Sequence, residues 1–141
     1  MASEPMRSVL VVEDDQIDAE YILKSLDKFE VQIDVMVRSY EAIAQLCSKT
    51  TPRPVLVLLD WKISGGGASV LRAVRENPDL ATIPVVILSR STAHADIRAA
   101  YAGHANAFVA KAGELHEFQD QVKAICEFFL NTAQSPPMID D

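Results

Sequence analysis

The stretch VVEDDQ, Val11 to Gln16, joins the end of an apolar run to three consecutive acids. The run begins at Ser8, and its apolar residues are continuous rather than alternating. Continuous apolarity is typical of a strand that is buried on both faces, as the strands of a parallel sheet are. Three adjacent carboxylates repel one another unless a cation lies between them. The stretch therefore predicts a parallel sheet with a cation site at the end of its first strand.

Four further strands alternate with five helices along the chain. The predicted strands are residues 8–13, 31–37, 55–60, 85–89 and 105–111, and a helical pattern follows each of them. Parallel strands need crossover connections, so this alternation predicts an α/β fold, a doubly wound five-stranded parallel sheet with five helices. The last helix is the clearest, because it carries an apolar stripe with helical spacing. That stripe comprises Leu115, Phe118, Val122, Ile125 and Phe129.

Length and charge exclude several classes of function. A chain of 141 residues predicts one domain. Its net charge of −7 argues against a nucleic-acid surface and against attraction to anionic lipid. No secretory signal is visible, and no apolar run is long enough to cross a bilayer. Cys47 and Cys126 stand alone, which predicts two buried small hydrophobic residues in a cytoplasmic protein.

Polar side chains end each strongly apolar strand: Glu13 with Asp14, then Asp60, Ser89 and Lys111. Taken singly, the acids fit a solvated helix start, the lysine fits an exposed side chain and the serine fits a helix cap. Ligands of doubly wound sheets, however, bind at the carboxyl ends of the strands. We therefore expect one shallow pocket that holds all five side chains, and an oxygen-rich site of this kind suits Mg²⁺.

Two residues are predicted to cap helices. Asp15, the third acid of the opening stretch, is interpreted as the N-cap of the first helix, and Ser39 as the N-cap of the second. The run Gly65 to Gly67 lacks the Lys-Ser/Thr of a P-loop and is interpreted as a flexible surface loop.

The motifs VVEDD, VLVLLDW, VVILSRS and FVAK, in this order and spacing, resemble the receiver domain of two-component response regulators. The resemblance covers about residues 7–131, with residues 132–141 expected to form a flexible tail. It implies the five-stranded fold inferred above. It also implies that the chain is a phosphoacceptor rather than an enzyme, and that its phosphoryl group comes from a phosphohistidine on a sensor histidine kinase.

The resemblance assigns a role to each polar position. Asp60 would be the phosphoacceptor, and Glu13 and Asp14 would hold Mg²⁺ together with Asp60 and the main-chain carbonyl of Lys62. The ammonium of Lys111 would bind a phosphoryl oxygen.

The same resemblance implies a conformational switch. The hydroxyl of Ser89 would move toward the phosphoryl group, and its aromatic partner Phe108 would then turn inward.

Three positions depart from the family pattern. Ser64 replaces a usual proline, and Ala68 stands where a glycine is usual. Arg90 replaces a small residue beside the expected pocket, where it would limit access by a phosphatase or slow the loss of the phosphoryl group.

The start VEDD, the long last helix and the lack of an output domain look most like the single-domain regulators that pair with phytochrome-type kinases. Phe128 and Leu130 lie off the apolar stripe of that helix. Spare apolar side chains on a surface helix mark interfaces. We therefore expect a homodimer through the last helix and its neighbours.

Two other readings stay open. One is a receiver-like docking module that takes no phosphate, although the acids, Asp60 and Lys111 are all in place. The other is a phosphatase of the haloacid-dehalogenase type, which also uses an aspartyl nucleophile and Mg²⁺. That class normally has a second acid two residues after the first, where this chain has Lys62.

Overall fold

The computed structural model describes residues 6–137. It contains one sheet of five parallel strands: β1 (Arg7–Val12), β2 (Val31–Met36), β3 (Leu56–Asp60), β4 (Val85–Ser89) and β5 (Ala107–Ala110). The five helices are α1 (Gln16–Leu26), α2 (Ser39–Cys47), α3 (Gly67–Glu76), α4 (His94–Ala102) and α5 (Leu115–Cys126). The predicted doubly wound α/β fold is confirmed.

The strands lie in the order β2-β1-β3-β4-β5. The chain therefore moves outward from β1 to one edge, returns to β3 and then moves to the other edge. The strand order reverses between β1 and β3, and ligands of such sheets bind at that point, beyond the carboxyl ends of the strands. The acids that follow β1 and the aspartate that ends β3 are neighbours for this reason.

Two apolar layers hold the sheet between its helices. One packs α1 and α5 against one face through Ile22, Leu26, Phe118 and Val122, among others. The other packs α2, α3 and α4 against the opposite face. The three central strands are buried along nearly their whole length, whereas the edge strand β2 is only half-buried. These burial patterns match the continuous apolar runs and the weaker, partly alternating second strand in the sequence.

The two predicted helix caps have different outcomes. Asp15 caps α1, because its side chain accepts a hydrogen bond from the N–H of Asp18 at 2.9 Å. Ser39 is not a cap, since it is the first residue of α2 and Arg38 takes the N-cap position without a side-chain bond. The N–H of Ser39 instead donates to the carbonyl of Ser64, which ties the start of α2 to the loop after β3.

A π-helical turn, Glu127–Thr132, continues α5 and changes which residues face the core. A π turn adds a residue per turn, so the inward stripe shifts relative to an ideal α-helix. Leu130, predicted to lie off the core, is therefore 5% exposed, and that expectation is wrong. Cys126 is also in the core, whereas Phe128 is 51% exposed as expected.

Two sequence predictions concern the remaining surface. Cys126 is buried, but Cys47 at the end of α2 is exposed, so the prediction of a buried residue is wrong there.

The stretch 133–137 carries no helix or strand, and residues 138–141 of the predicted tail lie outside the described part of the chain. None of the helices between residues 6 and 137 combines the length and the apolar character that a membrane span requires.

Candidate functional site at the carboxyl edge of the sheet

Three carboxylates meet where the strand order reverses. Glu13 and Asp14 follow β1 directly, and Asp60 is the last residue of β3. One oxygen of each side chain lies within 4.8 Å of the others. Asp14 is exposed, whereas Glu13 is buried. The first part of the expected pocket is therefore present, with one acid at its floor and one at its rim.

Glu13 is held rigidly on the floor of this cluster. Its Oε1 accepts from Lys111 Nζ at 2.7 Å, and its Oε2 accepts from the N–H of Asp15 at 3.1 Å. Burial raises the pKa of the Glu13 carboxyl to about 7, and the negative charge of Asp60 adds to the rise against the opposing effect of Lys111. Burial favours the neutral form of an acid, so this side chain is poised to exchange a proton for a cation.

Lys111 follows β5 and points its ammonium into the cluster. Its side chain is only 3% exposed, so the alternative of an exposed lysine is excluded. Its Nζ lies 2.7 Å from Glu13 and 3.8 Å from Asp60. Burial by itself would lower the pKa of this ammonium, but its hydrogen bonds to Asp18 and Glu13 outweigh burial and raise the pKa. A full positive charge therefore lies beside Asp60 at neutral pH.

Asp60 ends β3, and the backbone of the loop that follows it is closely packed. The side chain of Asp60 is 11% exposed, and its Oδ1 accepts from the N–H of Lys62 at 3.3 Å. Gly67 begins α3 so close to this loop that a Cβ on it would lie 2.9 Å from the carbonyl oxygen of Asp60. Gly67 is thus a buried part of the site, and only Gly65 and Gly66 of the predicted flexible run have the positive φ that favours glycine.

Ser89 and Phe108 lie on neighbouring strands next to this loop. Ser89 ends β4, is fully buried, and accepts a hydrogen bond on its Oγ from the N–H of Ser91. It is not the cap of α4, whose N-cap is Ala93. Phe108 on β5 packs half-buried against the core, and its N–H donates to the hydroxyl of Tyr101 at 3.1 Å.

One buried acid of the site was not found from the sequence. Asp18 on α1 is 1% exposed at its side chain and accepts from Lys111 Nζ at 2.9 Å. It also accepts two hydrogen bonds from Arg90, at 2.6 and 2.8 Å. A signal was available: the inward stripe of Ile22 and Leu26 extends back by one helical turn to Asp18. An acid at a core position predicts a cationic partner.

The donor set fits a hard divalent cation. Glu13, Asp14 and Asp60 offer carboxylate oxygens, and the buried Glu13 carries a raised pKa that a bound cation would relieve. Lys62 has an exposed side chain that pairs with Asp96 at 3.1 Å and offers no second acid. This placement disfavours the phosphatase reading, which needs a carboxylate at that position. The class of site that the fold defines is therefore a carboxylate cluster at the carboxyl edge of a parallel sheet, suited to a divalent cation.

Comparison with known proteins gives the family. The model of the response regulator receiver domain matches residues 9–123, so the chain belongs to the response regulator receiver family. Response regulator Rcp1 of Synechocystis sp. is 31% identical over 141 residues, covering 95% of this chain and 96% of that protein. The resemblance drawn from the four sequence motifs is therefore confirmed.

Solved structures agree with the fold. The match to the crystal structure of the Mn²⁺-bound form of Rcp1 covers 94% of this chain and 100% of the Rcp1 chain, with a TM-score of 0.88 and 31% identity. The phosphorylated cyanobacterial phytochrome response regulator RcpA covers the same shares, with a TM-score of 0.90 and 31% identity. Two similar receivers have thus been observed, one with a divalent metal and one with a phosphoryl group.

Affinity for Mg²⁺ is expected to depend on pH through Glu13. Its pKa of about 7 means that the cation must displace a proton below neutral pH. The apparent dissociation constant should therefore rise about tenfold for each pH unit below 7 and level off above about pH 8. Calorimetric titration of the purified chain with MgCl₂ at several pH values measures this.

A matched variant tests the assignment to Glu13. Glu13→Gln should bind Mg²⁺ more weakly at every pH and lose the proton-linked slope. Equal affinity of the wild-type chain at about pH 6 and about pH 8 would contradict the prediction.

Proposed function

We propose that Asp60 accepts a phosphoryl group from a phosphohistidine on a sensor histidine kinase. One observation carries this proposal: the Asp60 carboxylate lies within 4.8 Å of the acids Glu13 and Asp14 and 3.8 Å from the buried ammonium of Lys111. Phosphoryl transfer needs positioning and charge neutralisation more than it needs covalent chemistry from the protein. A nucleophile flanked by a cation site and a fixed ammonium meets both needs.

The transfer requires no general base. An oxygen of the ionised Asp60 carboxylate forms the new bond to phosphorus while the phosphorus–nitrogen bond of the donor breaks. The electron pair of that bond stays on the imidazole, which takes a proton from solvent. The product on this chain is an acyl phosphate. Water that later attacks its phosphorus would return Asp60 to the carboxylate and release phosphate, so the chain would reset itself slowly without acting as an enzyme on another substrate.

We infer that the resident cation is Mg²⁺. Glu13, Asp14 and Asp60 would hold it together with the main-chain carbonyl of Lys62. The bound ion would supply positive charge to the phosphoryl oxygens. Lys111 would donate a hydrogen bond to one of the same oxygens, which its position beside Asp60 supports.

The signal would be a change of shape at the carboxyl edge. Ser89 would move toward the phosphoryl oxygens, and Phe108 would turn into the space that it leaves. Phe108 is only half-buried, so it has room to become more buried. The N–H of Phe108 donates to the hydroxyl of Tyr101 on α4, and this hydrogen bond would carry the change to that helix. Tyr101 is 49% exposed, so the change would reach the surface.

We propose a phytochrome-type kinase as the donor. The support is the likeness to RcpA, a phosphorylated cyanobacterial phytochrome response regulator that matches 94% of this chain. We place the protein in the cytoplasm, where the free thiols Cys47 and Cys126 would stay reduced.

We also propose that the chain forms a homodimer through its C-terminal helical region. Phe128 is 51% exposed on the π-helical turn, and its ring packs edge-on against Phe129 with centroids 5.0 Å apart. An exposed aromatic edge of this kind suits an interface. Sedimentation equilibrium should show a dimer that Phe128→Ser weakens. A wild-type monomer at tens of micromolar, with and without phosphorylation, would reject it.

The function is tested with acetyl phosphate as a small phosphoryl donor. Incubation with Mg²⁺ should add one phosphoryl group, which intact mass spectrometry detects. The adduct should disappear in alkali, because acyl phosphates hydrolyse there whereas serine and threonine phosphates are more resistant. Omission of Mg²⁺ in the presence of a chelator should suppress the adduct strongly. A metal-dependent adduct supports the proposal, and no adduct in either condition favours the docking module.

A further inference from the structure

The buried acid Asp18 lies outside the metal cluster and is neutralised from two sides. It is held at 2.9 Å by Lys111 and at 2.6 and 2.8 Å by Arg90. A buried carboxylate is costly unless it is paired and hydrogen-bonded. Both cations therefore help to offset the cost of burying the Asp18 carboxylate.

Lys111 bonds to the neighbours of Asp60 rather than to Asp60 itself. Its Nζ is 2.7 Å from Glu13 and 2.9 Å from Asp18, but 3.8 Å from Asp60. An ammonium has three N–H donors, and two of them are used by these neighbours. The third N–H is free, but Nζ is drawn toward these two carboxylates and lies beyond hydrogen-bond distance of Asp60. A shift of the ammonium toward a phosphoryl group on Asp60 would lengthen at least one of the two short bonds.

Arg90 gives Asp18 a second cationic partner besides Lys111. Its guanidinium reaches from the loop after β4 across to α1, and its side chain is 57% exposed while Asp18 is 1% exposed. If Lys111 turned away from Asp18 in the absence of Arg90, a buried charge would be left unpaired. With Arg90 in place, Asp18 keeps a partner at hydrogen-bond distance throughout.

We propose that Arg90 is a positioning residue for the phosphoryl transfer: it neutralises Asp18 and so frees Lys111 to turn toward Asp60. The inference rests on the proposed function. It gives Arg90, a departure from the family pattern, a role that acts through Lys111 rather than by contact with the phosphoryl group. The pair Asp18–Arg90 also ties α1 to the loop that begins directly after Ser89.

Arg90→Ala leaves Asp18 with Lys111 as its remaining cation. Lys111 is then held more firmly by Asp18, and the maximal rate of adduct formation from acetyl phosphate should fall about twofold to fivefold, the range of one partly exposed ion pair. The concentration of acetyl phosphate at half-maximal rate and the affinity for Mg²⁺ should stay unchanged. Arg90→Lys, which keeps the charge, should restore part of the rate.

The double variant Asp18→Asn/Arg90→Ala separates this role from simple attraction of the donor. Without the carboxylate there is nothing to hold Lys111 back, so the double variant should react faster than Arg90→Ala alone and close to the wild-type rate. Circular dichroism checks that each variant is folded.

Three results would overturn the inference. The first is a wild-type rate for Arg90→Ala. The second is a double variant as slow as Arg90→Ala, which would mean that Arg90 attracts the anionic donor directly. The third is a wild-type chain that forms no adduct, and that result alone would overturn the proposed function as well.

Discussion

Replacing Asp60 with Asn is expected to abolish the acyl-phosphate adduct. The amide keeps the size and shape of the carboxyl group but is a poor nucleophile, so adduct formation should fall at least a hundredfold. The side chain is 11% exposed at the rim of the site, so an incoming donor reaches it and the substitution disturbs little packing. Intact mass after incubation with acetyl phosphate and Mg²⁺ measures the loss.

The same variant should also change the metal-free protein. The negative charge of Asp60 contributes to the raised pKa of Glu13, so Asp60→Asn should bring that pKa back toward its ordinary value. With a chelator present, the variant should be more stable than the wild type at neutral pH, by about 1 kcal/mol. Thermal unfolding under both conditions checks this.

A matched carboxylate-to-amide change provides the control. Asp120 is exposed on α5, and Asp120→Asn should react with acetyl phosphate as the wild type does. An adduct on Asp60→Asn at the wild-type rate would move the acceptor to another residue.

Replacing Lys111 with Met is expected to have the second large effect, on both stability and phosphorylation. The ammonium is 3% exposed and its two closest carboxylates are each 1% exposed. Removal of one partner of a buried ion pair costs about 3–5 kcal/mol, because the remaining charge is left uncompensated. The loss of the fixed positive charge should also slow adduct formation on the order of a hundredfold.

The pH dependence of this loss has a definite sign. Lys111 opposes the rise that burial causes in the pKa of Glu13, so without the ammonium that pKa should rise further. The folded variant would then bind this proton more tightly than the unfolded chain does. The loss in the free energy of unfolding of Lys111→Met, relative to the wild type, should therefore grow as pH rises from about 5 to about 8 and shrink on acidification. In the wild type, the pKa of Lys111 is raised, so its contribution to the free energy of unfolding is fully present at neutral pH and is lost only in strong alkali.

Thermal unfolding of Lys111→Met over this pH range is the measurement, with Lys49→Met as the control. Lys49 is exposed in the loop after α2, so its replacement should leave stability and adduct formation unchanged. A variant of Lys111 that is as stable as the wild type at every pH would contradict the role of its ammonium in the cluster.

Much of this architecture could be predicted because burial on both faces of a sheet leaves a direct trace in the sequence. The apolar runs before Glu13, Asp60 and Ser89 each predicted a strand and the residue at which it ends. Because parallel strands have their carboxyl ends at the same edge of a sheet, the side chains there could be placed together before the strand order was known. The convergence of the acids and Lys111 followed from topology alone.

Other features depend on contacts that cross the chain. Asp18 meets Lys111 over 93 residues of sequence and Arg90 over 72, and no local pattern records such a pairing. The burial of Leu130 depends on the π-helical turn, which the apolar spacing of the sequence did not indicate. Leu130 packs in the same cluster as residues of β1 and α1, which are far from it along the chain. The bond from Arg7 to the carbonyl of Leu130, at 2.7 Å, likewise joins distant parts of the chain.

The residue next to Asp60 makes the site visible to spectroscopy. Trp61 is the single tryptophan of the sequence; it lies in the loop after β3, close to the first residue of α3, and is 7% exposed. Its indole emission therefore reports on this edge of the sheet with no background from another indole. We expect cation binding, phosphorylation of Asp60 and unfolding each to change this one optical signal on the unlabelled chain.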